Sequence, residues 1–493
     1  MKIIKSFFAI AAVSVLVMSC DKVKDFGDTN VNPNGTATPS TAALLTNVES
    51  ALGATNTQGG LYAQMFSETQ YTDVSLYALP KLNFDGIYAG ILMDLKNIIN
   101  INTNEATKGA ATKFGANVNQ IGVARILKAY IVWTITDRWG DVPYFDALAG
   151  EENLTPKYEK QEDIYKDLIK ELTEAKVQID ANTAAPTGDI IYFKPGAGSY
   201  TQAAWPAAAA KWKKLANSLK MLIALRTSKV YPNAGEWAAT NFAAAYNDAD
   251  GYISANADNL VLNYPGNVTA FKNPWFNLYN GRTDYAESKL MTDLMASLGD
   301  PRQAAFGSST VGFPYGLKRD DAVAFGNANT NYAQVLAAGK RAANSPLVIV
   351  AAAHIRLAIT EAAQRGWISS SLVASNYQAG IQASWDQWGV SGTIATYLAN
   401  ANVVLTGTAS DLQKIQLQEY IAYYPDGLQA WAHWRRTNIP ALTPTPNAVN
   451  AGGKIPRRYT YGANEYSVNA ESVAEAASRI GGDTPDTKIW WDK

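Results

Sequence analysis

IGVARILKAYIVWTITDRWGDVPYFDA, residues 121–147, decides the fold. Ile126, Leu127, Tyr130, Ile131 and Trp133 recur at helical spacing, which predicts an amphipathic helix with one apolar face. The run then meets Asp137-Arg138-Trp139-Gly140-Asp141-Val142-Pro143-Tyr144. Gly140 is suited to the positive φ of a helix C-cap, and Pro143 cannot continue a helix. Taken alone, this is a core helix with a clean stop.

The same period continues outward in both directions. Leu44, Leu45, Val48 and Leu52 form one apolar stripe, and Ile87, Ile91, Leu92, Leu95 and Ile98 another. Ile164, Leu168, Leu172 and Ala175 mark an antiparallel partner for the opening helix. Trp212 through Arg226 reads as a long helix, and Leu290, Leu294 and Leu298 as a shorter one. Ser345-Pro346 has the chemistry of an N-cap and first helical position for a helix running through Leu357 to Ala363. Tyr377, Ile381, Trp385 and Trp388 continue the pattern, as do Leu412, Ile415, Ile421 and Tyr424. No hairpin signal stands out, so the class is mainly α, with helices in pairs. No strict 34-residue tetratricopeptide signature repeats. Residues 182–206, 255–284 and 301–344 lack a helical period, and loops this long in a compact body are functional or disordered. Their many aromatics disfavour disorder.

The start of the chain reads as an export signal. Lys2 and Lys5 form a basic region, and residues 7–18 form an apolar run too short to span a bilayer. Ser19 then precedes Cys20, the single Cys in 493 residues. A small residue directly before Cys is the pattern of a lipoprotein signal peptide, in which the thiol is acylated. The expectation is therefore a leader over 1–19 and a lipid anchor at Cys20. Residues 20–40, rich in Asn, Gly, Thr and Pro, then serve as a flexible tether. An exported chain with one Cys has no internal disulfide, and acylation gives that thiol a role.

Loss of 1–19 lowers the basic count from 42 to 40 against 43 acidic residues, which argues against a nucleic-acid partner. Catalytic signatures are missing: the sequence has no H-E-x-x-H, no G-x-S-x-G and no P-loop. His354 and His433 are the two histidines, too few with one Cys for a structural zinc site. Asp137/Asp141, Glu151/Glu152 and Asp320/Asp321 can each be written as an acid–base pair, but sequence spacing does not report the separation a glycosidase needs. Arg435-Arg436 and Arg457-Arg458 read either as an anion site or as structural ion pairs. No cofactor, metal or catalytic residue is assigned.

The aromatic loops carry the functional signal. A sugar ring offers an apolar C–H face to Trp or Tyr and a hydroxyl rim to amides, carboxylates and guanidinium groups. Two segments have that mixture, 68–83 (ETQYTDVSLYALPKLN) and 273–285 (NPWFNLYNGRTDY). Tyr71, Tyr77, Trp275 and Tyr279 are the candidate ligand-binding rings, with Asp73, Asn83, Asn277 and Arg282 as polar partners.

The stretch at 137–144 resembles the D-x-[YW]-G-D-V-P turn of the SusD/RagB family of outer-membrane nutrient-binding lipoproteins. Further stretches resemble the same family in the same order: 211–226 (KWKKLANSLKMLIALR), 300–302 (DPR), 377–381 (YQAGI), 434–440 (WRRTNIP), 455–458 (IPRR) and 488–493 (KIWWDK). The resemblance implies stacked tetratricopeptide-like helix pairs on one side and irregular loops on the other. It places one SusD-like nutrient-binding domain over 41–493. It implies a non-enzymatic, surface-exposed outer-membrane lipoprotein that binds a nutrient oligomer, a glycan in the preferred reading. The ligand then passes to a SusC-like TonB-dependent transporter, whose barrel a helical chain cannot itself supply. Two alternatives stay open: a peptide binder, as in the RagB branch, and a secreted α-helical glycoside hydrolase.

Overall fold

Helix Asn117–Trp139 is buried around most of its circumference, so the stripe seen in the sequence understates it: the polar side chains of Asn119, Gln120, Thr136 and Asp137 are buried too. A computed structural model describes residues 39–78, 82–193, 201–267 and 271–493 of the protein. The expected leader 1–19, Cys20 and nearly all of the tether lie outside the described residues.

In chain order the longer helices are α1 Thr41–Ala51, α2 Met93–Thr103, α3 Asn117–Trp139, α4 Gln161–Gln178, α5 Trp205–Arg226, α6 Trp237–Tyr246, α7 Lys289–Leu298, α8 Arg319–Ala328, α9 Ala352–Gln364, α10 Val373–Trp388, α11 Asp411–Ala422, α12 Gly427–Thr437 and α13 Ala470–Ile480. Helices α1 to α6 pack each on the next, and α9 joins this row through α5 while packing on α10 and α11. Helices α3 and α4 run antiparallel. Asn119 bonds the Asp180 carbonyl at one end, Arg125 bridges Glu171 at 2.8 Å midway, and Asp141 accepts the Gln161 N–H at the other. The fold is mainly α, as the periodicity predicts.

The stop after α3 works as the sequence implies. Gly140 has φ 86°, a backbone that favours glycine, and its N–H bonds the Thr136 carbonyl at 2.8 Å. The turn is also the dock for the end of the chain. Arg458 donates to the Trp139 carbonyl at 2.9 Å, Tyr461 donates to the Asp141 carbonyl at 2.8 Å, and the Trp491 indole donates to Asp137 at 2.9 Å. A second close approach joins the short helix Thr57–Tyr62 to α12. A Cβ on Gly427 would collide with the backbone nitrogen of Gly60, so only glycine lets the two backbones touch.

The strands are short and paired in twos: β1 Phe66–Glu68 with β5 Tyr285–Glu287, β2 Val142–Pro143 with β3 Tyr158–Glu159, and β4 Leu260–Leu262 with β6 Leu347–Val350, all antiparallel. Among the described residues no helix is long and apolar enough to cross a membrane.

Three local expectations are corrected. Ser345-Pro346 does not start a helix: β6 follows it, α9 begins only at Ala352, and the Ser345 hydroxyl bonds the Gly339 carbonyl instead. In α7 the buried face is Met291, Thr292, Met295 and Leu298, whereas Leu290 and Leu294 line an outer groove with Pro314 and Pro440. The stretch 301–344 contains α8. Asp320 and Asp321 stand in its first turn, where the helix dipole favours carboxylates.

Candidate functional site

The β1–β5 ladder joins the two loop segments singled out in the sequence. Its register pairs Phe66 with Glu287, Ser67 with Ala286 and Glu68 with Tyr285. Beyond the strands the contact continues: the Thr69 N–H bonds the Asp284 carbonyl at 2.9 Å and the Thr69 hydroxyl bonds the Thr283 carbonyl at 2.6 Å. Gln70 bonds the Asp284 carboxylate. The turn after β1 is pinned from within, because Glu68 accepts both the N–H and the O–H of Ser75 at 2.8 Å. Burial pushes the Glu68 carboxyl up to about 7, against the pull of those two bonds.

On this frame stands Tyr71, 52 % exposed. The guanidinium of Arg282 lies 5.8 Å from its ring centroid, and that of Arg319, at the start of α8, lies equally close. Arg282 is tied to Asp284 at 2.5 Å. Tyr332 donates to the Thr283 carbonyl at 3.4 Å and so fixes a third segment to the same rim. The result is an open aromatic surface flanked by two cations, a carboxylate and an amide. It is suited to holding a sugar ring by its C–H face while the guanidinium groups bond the hydroxyls.

The predicted site residues divide. Tyr71 and Arg282 are brought together, and Asp73 is exposed in the same turn as Tyr71. Asn277 is exposed at the end of the helix Pro274–Leu278. Asn83 is exposed but pairs with Asp85 and sits against Gly462, on the C-terminal segment. Three rings are corrected from surface to packing. Tyr77 is fully buried at φ 63°, edge-to-face with Tyr62. Trp275 is 1 % exposed and meets the Phe66 ring edge-on at 5.4 Å. Tyr279 is covered by Arg341 at 4.3 Å, and its hydroxyl donates to the Tyr285 carbonyl and accepts the Val335 N–H. The physical reason is common to all three: rings in irregular segments are what fastens those segments to the body. Arg319 escaped the sequence reading because nothing in its spacing links it to Tyr71.

The charged motifs form structure and not an anion site. Arg435 lies over Trp431 at 3.7 Å and Trp491 at 4.8 Å. Arg436 holds Glu361 with two bonds of 2.6 Å. Arg457 pairs with Asp492 and Arg458 with Asp483. Of the carboxylate pairs, Asp137 is taken by Tyr165, Trp491 and Arg226, and Asp141 by Arg479 and the Gln161 N–H. His354 accepts the Ala351 N–H on Nδ1 and bonds the Ala422 carbonyl through Nε2, which fixes the neutral Nε2–H tautomer. Burial pushes its pKa down to about 4. Among the described residues no group of His, Cys, Asp or Glu is placed to hold a metal ion.

The family model of SusD-like proteins, described as starch-binding and associating with the outer membrane, matches residues 33–462. The chain belongs to the SusD-like family. Solved SusD-like structures superpose over nearly their whole length. A chitin-binding protein is 26 % identical with a TM-score of 0.74, over 92 % of this chain and 99 % of its own. A chitin-binding SusD homologue from Flavobacterium johnsoniae is 24 % identical with a TM-score of 0.75, over 92 % and 98 %. A SusD homologue from Bacteroides uniformis is 24 % identical with a TM-score of 0.75, over 92 % and 99 %. No curated protein matches the chain.

Proposed function

We propose that this SusD-like chain is a non-enzymatic surface lipoprotein that binds a neutral glycan oligomer for uptake. The exposed Tyr71 ring, flanked by Arg282 on the neighbouring loop that β1 and β5 clamp and by Arg319 at the start of α8, is the observation that carries this reading. Asp73, two residues beyond Tyr71, and Asn277, five residues before Arg282, are exposed polar groups on the same two segments, while the Asp137 and Asp141 carboxylates are occupied by structural partners. The family description as starch-binding and the chitin-binding relative at 26 % identity support a polysaccharide ligand. Residues 1–19 are the leader, Cys20 the acylated anchor, 20–40 the tether and 41–493 the binding domain. The ligand passes from this domain to a SusC-like TonB-dependent transporter, because a helical body cannot form the closed barrel that outer-membrane passage requires.

The test is isothermal titration with chito-oligosaccharides, malto-oligosaccharides and a peptide mixture, with reducing ends assayed in parallel. Binding of an oligosaccharide without release of reducing ends is expected. Tyr71→Ala should weaken it by about 1–3 kcal/mol, the range of an aromatic hot spot. Binding of peptides alone, or liberation of new reducing ends, would overturn the glycan-binder reading.

A further inference from the structure

Glu287, the last residue of β5, is the junction of the segments that carry the Tyr71 surface. Its register partner is Phe66 of β1, the strand that leads into the Tyr71 turn. Its N–H donates to the Ala333 carbonyl at 2.8 Å, and its carbonyl accepts the Phe313 N–H at 2.9 Å. Those two bonds tie β5 to both flanks of α8, the helix that brings Arg319. Arg282 stands just before β5 in the same loop. The Tyr71 turn, the Arg282 loop and α8 thus meet at one residue.

The side chain at this junction is a fully buried acid. Gln303, on the short helix Gln303–Phe306, donates its amide to Glu287 Oε2 at 2.7 Å. Gly307 leaves room for the pair: a Cβ there would strike both Oε2 and the Gln303 amide nitrogen. Glu287 Oε1 and the Gln303 amide oxygen are buried too, and neither has a partner. Two acceptors cannot satisfy each other, but one proton on Oε1 supplies the donor that both lack, as in the paired bonds of a carboxylic acid with an amide. The surroundings offer no counter-charge. Tyr279, at the end of the helix Pro274–Leu278, and Tyr424, just past α11, face Glu287 as phenols that burial keeps neutral. Arg341 covers Tyr279 but spends its guanidinium on the Val335 and Leu336 carbonyls and on Gln334. Arg302 is held by Asp300 and Lys289 by Asp293, while Glu68 on β1 is a further acid. Burial pushes the Glu287 carboxyl up to about 8, against the pull of the Gln303 bond.

We propose that Glu287 is a proton-held latch: protonated, it closes on Gln303 and holds β1, β5 and the flanks of α8 in one frame, and loss of its proton loosens that frame. A carboxyl raised in the fold above its unfolded value of 4.5 contributes stability that is complete below that value and is lost as pH climbs through its folded value. The frame is therefore tightest in mild acid and loosest above about pH 8. One consequence rests on the Tyr71 reading: a ligand held by Tyr71, Arg282 and Arg319 binds more weakly as pH rises.

Amide hydrogen exchange of β1 and β5 in the full folded chain, without ligand, compares wild type with Glu287→Gln at about pH 5.5 and about pH 7.5. Glutamine keeps the size and an acceptor but cannot ionise. Taking the two proteins at the same pH cancels the intrinsic pH dependence of exchange. It also cancels the titration of Glu68, which burial pushes up to about 7. The ratio of wild-type to variant exchange should grow by at least about tenfold between the two pH values, and by up to about 100-fold, since each unit is tenfold in the opening equilibrium. A ratio that stays constant would overturn the latch. If Glu287→Gln fails to fold by circular dichroism, Gln303→Met, which takes away the acceptor of the proton, decides in its place. It should speed exchange at about pH 5.5 by about fivefold or more, the effect of one hydrogen bond, and exchange equal to wild type would overturn the latch. Titration calorimetry with chitohexaose at both pH values reads the consequence for binding. Wild-type affinity should fall at the higher pH and that of Glu287→Gln should not, and an equal fall in both would overturn the link from latch to ligand. Absence of chitohexaose binding at both pH values would count against the Tyr71 reading and not against the latch, which the ligand-free exchange decides.

Discussion

Arg436→Met should destabilise the protein in a way that depends on pH. Arg436 is 6 % exposed and makes two 2.6 Å bonds to Glu361, one of 3.1 Å to Glu419 and one of 3.1 Å to Ser228. Methionine keeps the length and the apolar stem but removes the cation. Glu361 is then left with Arg365 at 2.7 Å and the Gln416 amide. Removing one partner of a buried ion pair costs about 3–5 kcal/mol, because the remaining charge stays buried without its partner. The sign with pH follows from the carboxyls. Burial alone would raise Glu361, but Arg436 and Arg365 beside it hold it well below the usual carboxylate range. Burial and then the Glu361 charge push Glu419 well above that range, so the proton of the pair sits on Glu419. In the wild type the depressed Glu361 therefore contributes stability that is present above its unfolded value of 4.5 and is lost in acid as pH falls through its folded value. Without Arg436 the Glu361 carboxyl rises. A raised carboxyl favours the fold below its unfolded value, and that contribution is lost as pH climbs. The deficit of the variant should thus widen from about pH 5 to 7.5, by at most about 1.4 kcal/mol per unit per proton. Urea unfolding followed by tryptophan fluorescence at both pH values measures it. A deficit under about 1 kcal/mol, or one equal at the two pH values, would refute the assignment of a charged, Arg436-dependent Glu361.

Three further outcomes are expected. Trp491→Ala should cost about 3–5 kcal/mol in the same unfolding assay, since it empties a fully buried site and takes the indole N–H away from Asp137. Gly427→Ala should destabilise by about 1–3 kcal/mol or more, because the new Cβ meets backbone that has no rotamer to yield; a neutral effect by thermal melting would show that the two backbones are free to part. Metabolic labelling with a palmitate analogue should mark the wild type and not Cys20→Ala, and equal labelling of both would remove the anchor.

Sequence made α3 and its stop legible because the period and the Gly140–Pro143 punctuation are local. What surrounds α3 is not local. The stripe Ile126–Trp133 cannot announce that Asn119 and Asp137 are buried as well, since their partners Asp180 and Trp491 lie on other segments. Ser345-Pro346 has the chemistry of a helix start, but pairing of the next residues with β4 takes precedence over propensity. The candidate site was half visible. Tyr71 and Arg282 were readable as a ring and a cation on aperiodic segments. Their adjacency rests on two strands of three residues, too short to show a period, and Arg319 arrives from a helix hidden in what read as loop. The same segments misled for Tyr77, Trp275 and Tyr279, because a ring that anchors a loop and a ring that binds a ligand have the same sequence signature.

The bond from Trp491 to Asp137 spans 354 residues. A ribosome moving at roughly 5–20 residues per second needs about 18–70 s to make that span. Tyr165 and Arg226 can reach the Asp137 carboxylate early, but its Trp491 partner, and the Arg458 and Tyr461 partners of the Trp139 and Asp141 carbonyls, come only near the end of the chain. The first helices are thus finished early but cannot be sealed early. A chain that ended before residue 491 would leave the turn after α3 without the indole donor that the complete chain docks on Asp137.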